Sequence, residues 1–453
     1  MSAGRGAAIA DLARLPVVQM TAAQLFNGAC AYAFLGLATR QLGDIEFAPL
    51  SVAWVAFFLL GSGCFMPLEQ QLSRGLAGRF PSGVGAGPTV RRGMRLLLVG
   101  VVVLTAVQLA ASSVLVDELF SGRWDVLIGL VIGVAGFATL HAGRGISAGL
   151  GRPRVWATLF VVEGVLELVA AVVLKLSANR DAGTFTIAAG GASLAAGLLV
   201  LGLVVPELVR PRVAHPDHPH DDHPHQTVEH IEGPSLAVGL PALVVSSVIT
   251  AALMNAGPLA VQLLANDDQS AEAGHFLTGL VVARIPVFLV PVIVSLLLPS
   301  LTASVTSGDH PAFRTNVTRL GAAIGAAVIV STVGAAIVGP TAVRIAFGAE
   351  FGALGARDLG AMAFSSVTLV GAVAIGQAAL ALHQERWLTA AWVGAAVAFA
   401  AGLASSDDLF LRVESGLALS SAVALAVVVV VVIRGARTLD EVPGVPGPAG
   451  ADC

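Results

Sequence analysis

Long apolar runs alternate with short polar stretches along almost the whole chain. A helix needs about 20 predominantly apolar residues to span a bilayer, and a spanning segment must satisfy its own backbone hydrogen bonds. The runs are continuous and lack a period-two alternation, so they predict helices and not the strands of a barrel. Twelve spans are predicted, at residues 17–39, 47–66, 94–116, 125–142, 154–176, 184–206, 235–264, 275–299, 317–339, 358–382, 387–404 and 413–433.

Composition agrees with a membrane protein. Hydrophobic residues make up 56% of the 453 positions and charged residues 12%, whereas soluble domains carry about 25% charged residues. The net charge is −4 and the arginines are scattered, which argues against a nucleic-acid partner. The three cysteines lie far apart and suggest neither a disulfide framework nor a zinc site. No cofactor or metal is therefore expected.

The basic residues predict the orientation of the spans. With the N-terminus inside, seventeen of the 25 lysine and arginine residues fall in inner segments, seven in outer loops, and Arg284 within a helix. Positive residues collect on the cytoplasmic side of membrane proteins. We therefore expect a multi-pass protein of the plasma (inner) membrane with both termini in the cytoplasm. The first apolar run exceeds signal-peptide length and is expected to remain as a membrane helix.

A polar stretch between the sixth and seventh spans divides the chain. It contains HPDHPHDDHPH at 215–225, and a histidine cluster can bind a metal. Its three prolines prevent a fixed ligand spacing, however, and a disordered linker is favoured. The predicted domains are an N-terminal six-helix lobe at 1–206, a cytoplasmic linker at 207–234, a C-terminal six-helix lobe at 235–433 and a disordered cytoplasmic tail at 434–453.

The two halves are faintly repeated. AAQLFNGA around Asn27 in the first span corresponds to TAALMNAG around Asn255 in the seventh, and Pro67 and Pro299 end the second and eighth spans in nearly the same register. Duplicated membrane folds place their substrate site at the interface of the repeats. We expect an all-α membrane protein of about twelve transmembrane helices, in two pseudo-repeated six-helix lobes around a central cavity.

Three charged residues stand deep inside predicted spans, away from the span ends. Glu163 and Glu167 are four residues apart and share one face of the fifth helix, with Glu163 about 15 Å from its inner end. Arg284 lies at a similar depth in the eighth helix. A charge at bilayer depth costs about 3 kcal/mol or more and usually lies in a cavity or is paired. A hydrated substrate cavity, proton coupling through the two carboxylates and a buried structural ion pair all remain open.

Several other positions are candidates for a site or for movement. Gln24, Asn27 and Asn255 are polar groups within apolar runs, and we expect them to face protein or water. Glycine and proline weaken or kink a helix, and prolines are also simply common in membrane helices. The predicted bending points for alternating access, in helices one, seven and eight, are Gly28, Gly257, Pro258, Pro286 and Pro291.

Shorter patterns suggest local packing. Gly129 with Gly133, and Gly145 with Gly149, have the four-residue spacing of closely packed membrane helices. Glu69, at the inner end of the second span, forms either a local salt bridge or part of an inner gate, or else belongs to a solvated helix end. There is no Walker A sequence and no H-E-x-x-H motif, and the outer loops are short, so an enzyme is not expected.

Two segments together resemble a known group of proteins. MPLEQQLSR after the second span, and RGISAGLGRPRVW before the fifth with Glu163 following, resemble actinobacterial polysaccharide-biosynthesis membrane proteins. These are similar to flippases of the multidrug/oligosaccharidyl-lipid/polysaccharide exporter superfamily. The resemblance covers nearly the whole chain and implies two lobes around a cavity that opens alternately to either side. It also implies that Arg284, and Arg144 at the inner mouth, attract a pyrophosphate or an acidic sugar.

The expected function is transport of lipid-linked oligo- or polysaccharide precursors across the plasma membrane for cell-surface glycan biosynthesis. The expected partners are the lipid bilayer, the lipid-linked glycan, and glycosyltransferases or a polymerase of the same pathway. The alternative is a proton- or sodium-coupled exporter of cationic drugs or metabolites of the same superfamily, which Glu163 and Glu167 would favour. A glycan polymerase or ligase would need a large outer loop, and none is present.

Overall fold

The apolar runs fold into helices in the computed structural model, which describes residues 16–77, 87–209, 236–266, 269, 271–285, 310–349, 351–352, 354–382 and 384–441. Within these residues there are twelve helices and no strand. They are α1 (Pro16–Ala56), α2 (Gly63–Ala77), α3 (Gly87–Ala110), α4 (Trp124–Gly149), α5 (Pro153–Leu176), α6 (Ala182–Val209), α7 (Leu236–Leu264), α8 (Glu272–Ala283), α9 (His310–Phe347), α10 (Ala356–Ala381), α11 (Glu385–Gly402) and α12 (Leu409–Glu441). The prediction of an all-α protein of twelve helices is confirmed.

The first two predicted spans form the two arms of a helical hairpin. Gly43, with a φ of 76°, is non-helical, a conformation that glycine adopts at little cost, and the chain reverses there. The rings of Phe34 and Trp54, on either side of this turn, stack 5.6 Å apart, whereas a straight helix would separate them by about 30 Å. After Ala56 the chain forms a π-helical turn over Phe57–Ser62 and continues directly into α2. The turn therefore lies within the gap predicted between residues 39 and 47, although helix continues closer to it on both sides than predicted.

Other boundaries also differ from the prediction. Helix α9 extends beyond the predicted span 317–339 at both ends, and α6 continues to Val209, past the predicted lobe boundary at 206. Helix α12 continues to Glu441. Residues 434–441, the first eight of the tail predicted to be disordered, are therefore helical. The helix that begins in the last apolar run continues beyond the end of that run.

Helix α7 is continuous, which corrects the predicted interruption around Asn255, Gly257 and Pro258. A proline inside a helix removes one backbone donor, and neighbouring turns can carry the helix across it. The other two prolines predicted to bend the chain, Pro286 and Pro291, lie outside the described residues, as does the histidine-rich stretch 215–225.

The helices suit a bilayer in both length and surface. Nine described segments are long and apolar enough to cross a membrane, and the first of these, Val18–Ser73, includes both arms of the helical hairpin. Apolar side chains also cover much of the outer surface, as at Ile329, Val330 and Ile337 of α9. Such a surface requires an apolar surrounding, so the chain is a multi-pass membrane protein.

Close contacts between glycines and neighbouring helices hold the N-terminal lobe, α1–α6, together. A Cβ atom on Gly129 would lie 2.6 Å from Thr186 on α6, and one on Gly149 would lie 2.6 Å from Leu76 on α2. Gly133 similarly faces the ring of Phe57. The prediction that these glycines serve helix packing is confirmed.

The N-terminal lobe meets the C-terminal lobe, α7–α12, along α1 and α2. At the start of α2, a Cβ atom on Gly63 would lie 3.2 Å from Ala251 of α7. At the predicted outer end, the rings of Phe47 and Phe351 lie 5.6 Å apart, edge to face. Arg40 donates a hydrogen bond to the Ile345 carbonyl in the last turn of α9. These contacts enclose the space between the lobes.

Candidate functional site: a cavity between the lobes

A cavity of about 370 Å³ lies between the two lobes. Its wall includes every predicted polar position of the first and seventh helices and every charged residue predicted to lie at bilayer depth. All seven predicted substrate residues line it, namely Gln24, Asn27, Arg144, Glu163, Glu167, Asn255 and Arg284, together with Gly28. The structure therefore brings the whole predicted set together, while their role in transport stays a prediction.

Glu163 is held by hydrogen bonds from two other helices. Asn27 Nδ2 of α1 donates to Glu163 Oε2 at 3.1 Å and to the Phe160 carbonyl at 3.0 Å. Ser193 Oγ of α6 donates to Glu163 Oε1 at 2.9 Å. With 8% of its surface exposed, Glu163 is a buried carboxyl group with both oxygens bonded, as burial of a polar group requires.

Glu167 has a different environment one turn further along α5. It is 6% exposed, and its Oε2 atom has no hydrogen-bond partner among the described residues. It lies close enough to Glu163 for the two carboxyl groups to interact electrostatically. An unpartnered buried carboxyl oxygen is unusual, and the Glu167 side chain lines the cavity.

Arg144 is paired behind the cavity wall. Its Nε atom lies 3.5 Å from Glu69 Oε2, and its guanidinium lies over the Phe160 ring, 5.0 Å from the ring centre. Glu69 Oε2 also lies 2.6 Å from His141 Nδ1. Glu69 therefore forms a salt bridge with a residue of another helix, and a role as an inner gate stays a prediction.

Arg284 presents the other guanidinium from the C-terminal lobe. It is the residue immediately after α8, twelve positions beyond Glu272 and so about 18 Å along the helix. Its Nη1 atom lies 3.4 Å from Asn255 Oδ1 on α7, a long hydrogen bond. Among the described residues it has no carboxylate within ion-pair distance, in contrast to Arg144.

Arg284 and Glu163 share the cavity without pairing. We predicted that a carboxylate of one half and a guanidinium of the other could meet at similar depth, and both do line the same space. In the described structure, however, Glu163 is bonded by Asn27 and Ser193, whereas Arg284 contacts Asn255. The wall formed by the N-terminal lobe therefore carries two carboxyl groups and the paired Arg144, and the wall formed by the C-terminal lobe carries Arg284.

The aromatic part of the wall was missed from the sequence. The rings are supplied mainly by α1, the π-helical turn and α4, and they are Tyr32, Trp54, Phe57, Phe58, Phe137 and Phe160. Apolar rings can face lipid or a cavity equally well, so composition alone does not single them out. The one available signal was Tyr32, which is the only tyrosine in the chain.

The predicted bending points separate into two groups. Gly28 lines the cavity within an unbroken part of α1. Gly257 and Pro258 are buried, and Gly257 allows the Phe276 ring of α8 to pack directly on α7. In α1 the non-helical residue is Gly43 and not Gly28. Bending at the predicted positions stays a prediction.

One sequence pattern has an enzymatic association that the structure does not support. Residues Gly145–Gly149 read G-x-S-x-G, a pattern that in hydrolases places a serine on a sharp strand-to-helix turn. Here Ser147 lies inside α4, is fully buried, and donates a hydrogen bond to the Gly143 carbonyl at 2.6 Å. This serine is a helix-packing residue.

Comparison with known sequences gives distant relatives along most of the chain. No family model matches it. Uncharacterized protein Rv3630 of Mycobacterium tuberculosis is 27% identical over 403 residues, 86% of each chain. Uncharacterized protein Rv1510 of the same organism is 28% identical over 400 residues, covering 85% of this chain and 84% of the relative.

Comparison with solved structures identifies the fold. An inward-facing multidrug resistance MATE family transporter of the MOP superfamily has a TM-score of 0.66 at 14% identity, over 92% of this chain and 96% of that one. An outward-facing MATE structure gives 0.62 at 15% identity, over 94% and 97%, and a eukaryotic MATE transporter gives 0.63 at 15%, over 94% and 98%. The chain therefore has the two-lobed, twelve-helix fold of MATE family transporters.

Proposed function

We propose that this protein is an alternating-access transporter that moves a lipid-linked sugar precursor across the plasma membrane for cell-surface glycan biosynthesis. The observation that carries the proposal is the cavity between the lobes, with its two carboxyl groups, two guanidinium groups and aromatic rings. The fold supports the transport mechanism, since MATE structures exist in both inward- and outward-facing forms.

The side chains of the cavity suit a phosphorylated sugar. Carboxylates and amides accept and donate hydrogen bonds to hydroxyl groups, and Glu163, Asn27 and Gln24 supply these groups on one wall. Aromatic rings such as Trp54 offer flat apolar surfaces against which the C–H face of a sugar ring can pack. Guanidinium groups bind phosphate in a two-pronged geometry, and Arg284 is the cavity guanidinium that has no carboxylate partner in the described structure.

The size of the cavity restricts what enters it. A volume of about 370 Å³ is near the lower end of the ~300–1,000 Å³ typical of small-molecule sites. We therefore propose that the cavity holds a phosphate and the sugar next to it, while the lipid chain remains in the bilayer.

A second candidate function is proton- or sodium-coupled export of a cationic drug or metabolite. The observation that favours it is Glu167, a buried carboxyl with an unpartnered oxygen beside Glu163. Buried carboxylates inside membranes often bind protons or cations. Some of the structural neighbours are multidrug resistance transporters.

Reconstitution distinguishes the two candidates. The purified protein is placed in liposomes that contain a fluorescent polyprenyl-phosphate sugar, and the fraction of sugar exposed to an external, membrane-impermeant reagent is followed over time. Parallel liposomes carry a cationic dye and a proton gradient. Lipid-linked sugar that becomes exposed faster than in protein-free liposomes supports the proposal.

The opposite pattern would reject it. Dye expelled on a proton gradient, with lipid-linked sugar moving no faster than in protein-free liposomes, would establish the exporter and end the glycan proposal. Both assays include Arg319→Ala as a matched control, because Arg319 is an exposed arginine of α9 outside the cavity.

A further inference from the structure

The two sequence segments that carry the family resemblance contact each other. Glu69, from MPLEQQLSR on α2, lies 3.5 Å from Arg144, the first residue of RGISAGLGRPRVW on α4. Gly145 permits this approach, because a Cβ atom there would lie 2.8 Å from the Glu69 carbonyl oxygen. His141, one turn before Gly145, bonds the same carboxylate. We call Glu69, His141 and Arg144 the Glu69 cluster.

Arg144 is the member of the Glu69 cluster that lines the cavity. It interacts electrostatically with Glu163, whose neighbour Phe160 lies under its guanidinium. Arg144 therefore stands between two carboxyl groups: the half-buried Glu69, outside the cavity lining, and the buried Glu163 in the wall. Among the described residues, Glu69 is the one within ion-pair distance.

Arg144 interacts more closely with Glu69 than with Glu163. A guanidinium bound to one buried carboxylate is less available to a second one. If Glu69 carried no charge, Arg144 would be left buried without a partner, which is strongly unfavourable. Glu163 would then be the nearest compensating group, and a tight pair with Arg144 would withdraw the Glu163 carboxylate from the cavity.

We propose that Glu69 is a positioning residue for the cavity: by holding Arg144, it keeps the Glu163 carboxyl group available to the molecule or ion that the cavity binds. Glu69 does not line the cavity itself and acts only through Arg144. The consequence for transport rests on the proposed function, whereas the effect on Glu163 does not.

Chemical labelling tests the effect on Glu163 directly. Dicyclohexylcarbodiimide modifies carboxyl groups in apolar surroundings, and a carboxylate paired with a guanidinium is protected. Full-length protein in nanodiscs is labelled, and modification of Glu163 is measured by peptide mass spectrometry relative to Glu167 on the same helix. In Glu69→Gln we expect the Glu163 to Glu167 ratio to fall by about tenfold, the size expected from one new charge-assisted contact.

A double variant shows whether the effect passes through Arg144. In Glu69→Gln/Arg144→Gln no guanidinium remains to protect Glu163, so the labelling ratio should return to that of Arg144→Gln alone. Glu272→Gln is the matched control, because Glu272 faces a histidine of the C-terminal lobe, His275, at 3.4 Å but lies outside the cavity. Its ratio should equal that of the wild type.

Two results would overturn the inference. One is a Glu163 to Glu167 ratio in folded Glu69→Gln equal to that of the wild type. The other is a change on adding Glu69→Gln to the Arg144→Gln background, because Glu69 would then act on its own. This second comparison uses Arg144→Gln and Glu69→Gln/Arg144→Gln, and neither variant contains Arg144 without its partner. It therefore remains decisive if Glu69→Gln alone does not fold.

Transport separates this inference from the proposed function. If the wild type moves lipid-linked sugar, Glu69→Gln should move it about tenfold more slowly, and Glu272→Gln at the wild-type rate. If the wild type moves none while the labelling ratios follow the expected pattern, the proposed function fails and the positioning role stands. A Glu69→Gln variant that transports at the wild-type rate with unchanged labelling rejects the positioning role alone.

Discussion

At the scale of single residues, two carboxyl groups on one helix face have unequal surroundings. Glu163 receives hydrogen bonds from Asn27 and Ser193, whereas Glu167 Oε2 has no partner in the described structure. A bonded group is oriented, and an unbonded one is free to bind something else. The spacing of four predicts a shared face but cannot distinguish these two environments, because the partners come from α1 and α6.

We expect the two glutamates to respond differently to substitution by glutamine. Glu163→Gln disturbs an oriented group and should slow transport by about tenfold or more. Glu167→Gln should change the dependence on a proton or sodium gradient if the transporter is ion-coupled, and otherwise have a small effect. Initial rates in liposomes, with and without each gradient, measure both effects. Equal losses in the two variants, with the same gradient dependence, would contradict this difference.

Arg284 should be required for a phosphate-bearing substrate. Arg284→Ala removes the cavity guanidinium that lacks a carboxylate partner among the described residues, so transport should fall by more than about tenfold. Folded protein should be retained, because the hydrogen bond from Arg284 to the Asn255 amide oxygen is long, at 3.4 Å. Size-exclusion profiles establish folding, and Arg319→Ala is the control. Retained transport in Arg284→Ala would remove this residue from the site.

At the scale of elements, one arginine joins three helices at the predicted outer end of the N-terminal lobe. Arg123, just before α4, lies 2.6 Å from Glu46 of α1, binds both carboxylate oxygens of Asp125, and contacts Asp181. Asp181 in turn accepts a bond from the Thr184 amide at the start of α6. Hydrogen bonds from Arg123 to Asp125 and then Glu46 raise the pKa of Arg123 above its ordinary value. It therefore stays charged at every working pH.

Loss of this junction should destabilise the lobe. Arg123→Ala leaves three carboxylates facing one another, and hydrogen bonds to charged groups contribute ~1.5–3 kcal/mol when intact. We expect a Tm in detergent lower by several degrees, about 2–4 °C for each kcal/mol in a domain of this size. Lys175→Ala, an exposed cation at the same end, should leave the Tm unchanged. An unchanged Tm in Arg123→Ala would show that the junction adds no stability.

The elements also show what the sequence could and could not predict. The number of helices was predictable, because the bilayer sets a length that each apolar run must reach. The turn between the first two spans was predictable from polar residues such as Asp44 and Glu46, but its length was not, since helix continues closer to Gly43 on both sides than predicted. The polar part of the cavity was predictable because hydrocarbon excludes charge. Pairings such as Glu69 with Arg144 depend on how each helix is rotated, and the aromatic rings could have faced lipid.

At the scale of the whole molecule, the lobes touch at the predicted outer end of the cavity. Arg40 of α1 bonds a carbonyl in the last turn of α9, where cations interact favourably with the helix terminus. Phe47 packs on Phe351, whose ring also contacts His275. A cavity that opens to either side in turn must separate these contacts at one stage of its cycle.

Weakening these contacts should shift the balance between states. In Arg40→Ala with Phe47→Ala, spin labels at Ile45 and Ile345, both exposed, should show a longer and broader distance distribution by electron paramagnetic resonance. The reference is the labelled protein without the two substitutions, and Arg319→Ala is the control. Superimposable distributions would show that these contacts do not hold the outer end closed.

The π-helical turn at Phe57–Ser62 has a consequence for comparing related sequences. Such a turn contains one residue more than an α-helical path would need, and each residue rotates a helix by about 100°. Deleting that extra residue would restore an α-helical path and leave α2 in register, with Glu69 still facing Arg144. A homologue with a one-residue gap in this turn should therefore keep an acid at the position of Glu69. A gap elsewhere in α2 would instead rotate the residues that follow it, and there the acid should be lost.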